Sequence, residues 1–171
     1  MNAGLLLLRL LLAGLLFGHA AQKLLGWFRG MGPGGTAVVF ESWGFRPGKP
    51  MVLLAGTSEL AAALLLASGG ATPLAAAITM GTMIVAAVPN APHGLWAHLG
   101  GYEVPFIYGG LALVIGLTGP GAWSVDHALG AEHASGPVWA AASAGAALAA
   151  ALPVLWLRRH HINAAASASP P

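Results

Sequence analysis

The sequence contains no cysteine, which removes disulfides, iron–sulfur ligation, thiolate zinc sites and cysteine nucleophiles from consideration. Charge is almost as scarce. Only 7% of the 171 residues are Asp, Glu, Lys or Arg, and 57% are hydrophobic, whereas a soluble domain carries about 25% charged residues. So little charge cannot coat a water-facing surface, and the apolar side chains must face lipid. Seven basic against five acidic residues leave a net charge of +2, too slight to point to nucleic acid. A Ser/His/Asp order, a phosphate-binding glycine loop and a dinucleotide fingerprint are likewise absent.

What is present is a series of long apolar runs. A crossing helix needs roughly 20 apolar residues at about 1.5 Å each. Five runs qualify or nearly do: residues 4–25, 51–68, 72–88, 105–118 and 137–157. The third has Thr72 as a candidate N-cap, Pro73 at its first position and Pro89 as a stop. The fourth is short and closed by "GPG" at 119–121. The last contains Pro153, expected to kink it, and residues 160–171 read as a small, polar, disordered tail. The first run resembles a retained helix more than a cleaved leader, because no basic residue precedes it and Arg9 interrupts it. Between the first two runs, "TAVVFESWGF" (36–45) sets Val38, Val39, Phe40, Trp43 and Phe45 around Glu41. It suits either a short helix lying in the membrane interface or a plain connecting loop.

Charge distribution orients these runs. With five crossings, Lys23, Arg29, Arg46, Lys49, Arg158 and Arg159 gather on one side, and Arg9 alone lies toward the other. The basic side is expected in the cytoplasm, with the C-terminus there; with four crossings the tail changes side and the bias weakens. Trp27, Trp43, Trp96, Trp123, Trp139 and Trp156 all fall at or just beyond the run ends, as an aromatic belt does. The fold expected is an all-α membrane protein, a bundle of four to five transmembrane helices with an interfacial segment after the first.

Inside the apolar runs a few ionisable groups stand out. Arg9, His19 and Lys23 share one face of the first run, within an arc of about 80°. Glu59 is the acidic residue deepest in another run. Such groups usually pair and face the bundle interior, so Arg9 is expected to pair with Glu59. Lys23 is expected to meet Glu103 or to extend toward the headgroups. Two readings stand for this cluster: a buried pair that only fixes helix register, or a polar pocket for a proton, a quinone or another ligand. Thr57, Ser58, Thr79 and Thr82 could line such a pocket or bond their own helix backbone. His19 lacks the second intramembrane histidine that a haem would need. His93, His98, His127, His133, His160 and His161 lie in loops or the tail without a metal-binding spacing, so no metal is expected.

The landmarks together resemble the DoxX family of small bacterial membrane proteins. "LRLLLAGLLFGHAAQKLLGWF" (8–28) and "GTAVVFESWGFRPGKP" (35–50) resemble its beginning, and "HGLWAHLGGYEVP" (93–105) and "GPGAWSVD" (119–126) its later signatures. The resemblance covers about residues 5–129 and implies a four-helix bundle over residues 1–130. Residues 131–159 then form an additional C-terminal helix outside the family core. It places Arg9, His19, Lys23, Glu59, Glu103, Ser124 and Asp126 at the family's polar positions. Departures are Ala20, where the family often has Gly, and "WAHL" where an Asn is common. The family is similar to a membrane subunit of an archaeal thiosulfate:quinone oxidoreductase, and other relatives belong to redox complexes.

The resemblance implies a bacterial inner-membrane protein, non-catalytic or quinone-facing, that serves a redox complex with a partner protein carrying the redox centre. A solute transporter or channel and a structural scaffold are the alternatives, and self-association remains open. Around "GPGAWSVD", Ser124 or Asp126 is expected to cap a short helix, and Asp126 could instead dock a partner or ligand.

Overall fold

In the computed structural model, which describes residues 2–168, the apolar runs all become helices. They are α1 (Asn2–Leu24), α3 (Gly48–Ser68), α4 (Thr72–Ala87), α5 (Glu103–Thr118) and α7 (Pro137–Ala168). The shorter α2 (Gly32–Ser42) and α6 (Val125–Ala128) lie between them. Four helical stretches are long and apolar enough to cross a membrane: Asn2–Leu24, Gly48–Ser68, Thr72–His93 and Pro137–Ser167. The third gains its length from a 3₁₀ extension, Val88–His93, beyond α4. With 16 residues, α5 is about 24 Å long, shorter than the others but packed among them.

Helix ends meet where the sequence provides stops. Gly69 takes a left-handed conformation (φ 65°) at the end of α3, and the amides of Gly69 and Gly70 return to the carbonyls of Leu66 and Leu65. Glycine accepts this conformation at little cost. The chain then reverses into α4, whose N-cap is Ala71 and not the expected Thr72. The helices alternate in direction. Arg9 near the start of α1 meets Leu66 at the end of α3, and Ser143 in α7 donates to the Pro73 carbonyl at the start of α4. Thus α1, α4 and α7 begin at one end of the bundle, and α3 and α5 begin at the other.

Small residues allow close approach, which matters where lipid supplies no hydrophobic drive between helices. A Cβ on Gly56 would fall 2.7 Å from Leu24 Cγ, so α1 and α3 touch there. A Cβ on Gly81 would meet the Ala147 backbone, and one on Gly116 would meet Ala140. The core between them is Leu12, Leu16, Leu66, Ile115, Met80 and Met83 with interspersed alanines. Leu7, Leu11, Leu15, Leu64, Phe106 and Leu152 point outward, as a lipid-facing surface requires.

The helix bounds refine one expectation and correct another. Of the stretch 36–45, residues 36–42 are helical, as the short-helix reading expects, in a helix, α2, that begins earlier, at Gly32. The expected disordered tail is helical through Ala168, including His160 and His161, while 169–171 lie outside the described residues. Alanine is the strongest helix former, and "NAAASA" simply continues the preceding turns. The helix α7 continues through Pro153 to Ala168. Trp156 therefore lies within a helix, 19 residues after its start, which is about 29 Å along its axis and still near one membrane depth.

Candidate functional site

The polar residues singled out in the first helix do share one face, but they belong to two sites at different depths. Near the start of α1, Arg9 is buried, with 1% of its surface exposed. Its guanidinium donates to the Trp123 carbonyl (2.5 Å) and the Leu66 carbonyl (3.4 Å), and its Nε has no hydrogen-bond partner. Asp126 supplies the nearby negative charge. The Asp126 carboxylate accepts from the amides of Ala71 (2.7 Å) and Thr72 (2.8 Å) and from the Thr72 hydroxyl (2.6 Å). It thereby caps α4 from another segment, satisfying amides that a helix start leaves unpaired and countering its positive dipole. The Asp126 amide donates to the Gly69 carbonyl (3.0 Å). Ser124 caps α6 as expected, its hydroxyl accepting from the His127 amide. A Cβ on Gly69 would collide with the Arg9 guanidinium and Ser124 Cβ, so glycine is required there for space as well as conformation.

The second site lies toward the other end. Lys23 Nζ reaches both carboxylate oxygens of Glu59, at 2.8 and 2.9 Å. Glu59 is buried and Lys23 partly so. The expected Arg9–Glu59 pair is therefore not formed, and Lys23 meets Glu59 instead of Glu103. The reason is register. Leu24 against Gly56 fixes α1 on α3, so Lys23 extends inward to Glu59 while Arg9 stands beside Leu66. Seven residues separate Glu59 from Leu66, about 10 Å along the helix, more than a guanidinium spans. Glu103 is in neither site; its carboxylate accepts from the Ala97 amide (2.8 Å) in the loop before α5.

Lys23 and Glu59 line a cavity of about 790 Å³, together with His19 and Tyr108. The His19 and Tyr108 rings lie 5.9 Å apart. Phe40, Trp43 and Phe45, from α2 and the turn after it, form an aromatic wall, with Phe40 stacked on Trp43 at 5.8 Å. Of the hydroxyl residues considered, Ser58 and Thr82 line the cavity, while Thr57, Thr79 and Thr82 donate to carbonyls of their own helices. Between the cavity and Arg9, the fully buried Leu12 and Leu16 separate the two polar sites.

Tyr108 and the aromatic wall escaped the sequence reading as site residues. The signal for Tyr108 was a phenol hydroxyl inside the apolar run of α5. For the wall it was the aromatic spacing of 40, 43 and 45, read as facing the membrane interface. Phe45 is buried and Phe40 partly so, whereas Trp43 and the neighbouring Val38 are exposed.

No curated protein and no solved structure matches the chain. The DoxX family model does match, over residues 4–99. The matched part runs from α1 through the loop after α4 and carries Arg9, His19, Lys23 and Glu59. Glu103, Tyr108, Ser124 and Asp126 lie beyond it, as do the last of the signature stretches that suggested the resemblance. With more than half of its length matched in this way and its bundle of apolar helices, this integral membrane protein belongs to the DoxX family.

Proposed function

We propose that this protein is a quinone-facing subunit of a redox complex in the bacterial inner membrane. The observation that carries the reading is the cavity: about 790 Å³ of space with an internally neutral Lys23–Glu59 pair beside it and an aromatic wall. A volume in the range of small-molecule sites, mostly apolar walls and a few convergent polar groups are the usual marks of a ligand site. A planar, uncharged ring with carbonyl oxygens suits it. The ammonium of Lys23 can donate to such an oxygen while its charge stays balanced by Glu59. The His19 ring nitrogens and the Tyr108 hydroxyl add donors or acceptors, and Phe40, Trp43 and Phe45 can stack on a flat face.

A quinone supplies two-electron chemistry when bound, and the chain's own residues bind and orient it. A partner protein brings the redox centre, since a chain without cysteine offers no thiol or cluster ligands of its own. The Leu12–Leu16 layer speaks against a through-channel, because it closes the cavity from the Arg9 end. The cationic residues Arg29, Arg46, Lys49, Arg158 and Arg159 sit at the cavity end of the bundle, and by the positive-inside rule this supports a cytoplasmic orientation of that end. A C-terminal reporter fusion active in the periplasm would remove this orientation.

Titration of the purified protein with decylubiquinone, followed by tryptophan fluorescence, tests the ligand reading. Saturable quenching that is reduced by Trp43→Phe is expected. Absence of saturable binding to the folded wild-type protein would refute it.

A further inference from the structure

The C-terminal part of α7 does more than extend a helix. Its 32 residues give about 48 Å of length, well beyond the roughly 30 Å hydrocarbon core of a bilayer. The excess reaches the turn between α2 and α3. There Arg158 Nε donates to the Trp43 carbonyl at 2.8 Å, and its guanidinium lies over the Phe45 ring, 5.5 Å from the centroid. Ile162, one turn further on, seats on Gly44. A Cβ at that position would fall 2.7 Å from Ile162 Cγ1, and the backbone there is left-handed (φ 88°).

These contacts fall on three successive residues, Trp43, Gly44 and Phe45. The first and last belong to the aromatic wall of the cavity. Ala150, Ala151 and Val154, one to two turns earlier in α7, line the same cavity. All of α7 lies outside the residues matched by the family model.

We infer that Arg158 is a positioning residue for the cavity: with Ile162 it clasps the α2–α3 turn and holds the aromatic wall closed over the ligand space. The inference rests on reading that cavity as a ligand site, but it concerns the wall and can be measured without a ligand. Arg158 suits this task for a chemical reason. A planar guanidinium can donate in its plane to a carbonyl while its face lies on an aromatic ring, and an ammonium cannot do both in the same way. The neighbouring Arg159 is exposed and makes no such contact among the described residues.

The absence of native cysteine makes the test clean. Ser58→Cys introduces one thiol on the cavity lining, and its reaction rate with a water-soluble maleimide reports opening of the wall. In that background Arg158→Ala and Ile162→Ala are each expected to raise the labelling rate about fivefold, the scale of one lost buried contact acting on a local opening equilibrium. Arg159→Ala should leave the rate unchanged, and Arg158→Lys should recover only part of the protection. Arg158 and Ile162 act independently of each other's fold tolerance, so either folded variant suffices. Unchanged labelling in a folded Arg158→Ala or Ile162→Ala protein would overturn the inference, as would an equal increase with Arg159→Ala. Because no quinone is present, failure of decylubiquinone to bind leaves this result standing, and the two readings fail separately.

Discussion

At one end of the bundle Arg9 and Asp126 are held by backbone atoms of other segments; at the other, Lys23 and Glu59 hold each other beside a cavity. The first arrangement ties four pieces of chain together: α1, the end of α3, the start of α4 and the stretch around α6. Each charge there is engaged by fixed backbone groups, and neither residue lines the cavity. The second arrangement uses two flexible side chains whose charges cancel, leaving polar atoms facing open volume. Buried charge in a membrane protein can therefore tie segments together or border open volume, and what distinguishes the two is the partner's identity and the neighbouring space.

The difference can be broken most forcefully at Asp126. Asp126→Ala removes three hydrogen-bond acceptor contacts and the charge nearest Arg9. A loss of about 3 kcal/mol or more is expected, read as a large fall in melting temperature in detergent. Next in size is the cavity pair. Glu59→Leu leaves the Lys23 ammonium without its partner and should cost about 2 kcal/mol. Decylubiquinone affinity should fall about tenfold in parallel, the scale of one charge-assisted hydrogen bond.

A double exchange sharpens the assignment. Lys23→Glu with Glu59→Lys should be more stable than either single change, whereas Arg9→Glu with Glu59→Arg should show no recovery over its worse single variant. Recovery in the second set and not the first would restore the pairing that the sequence suggested. The smallest effect is expected for Thr72→Val, which removes one hydroxyl donor to Asp126. It should cost about 1 kcal/mol and leave ligand affinity unchanged, because the cavity is elsewhere.

Much of this architecture was legible in the sequence, and the failures have a common cause. Apolar run length and the Gly and Pro stops located all five long helices, since lipid demands continuous apolar runs whose backbone is paired within the helix. The helical period put Arg9, His19 and Lys23 on one face. What the period does not carry is depth. Which residue of α3 stands opposite Arg9 depends on the seating of Leu24 against Gly56, a contact between two apolar residues without a sequence signature. The same applies to Asp126, expected to cap its own short helix or to dock a partner, when it caps α4 from 54 residues away. The C-terminal clasp was missed because residues 160–168 were read by polarity, while their alanines and the tertiary contact of Ile162 with Gly44 favour helix.

The central claim is that the Lys23–Glu59 end binds the ligand and the Arg9–Asp126 end only fastens the bundle. The most direct measurement is the decylubiquinone dissociation constant of Lys23→Met beside that of Thr72→Val, both confirmed folded. The account predicts weaker binding in Lys23→Met, by about tenfold, and wild-type affinity in Thr72→Val. Equal affinities in the two variants, or weakening only in Thr72→Val, would contradict it.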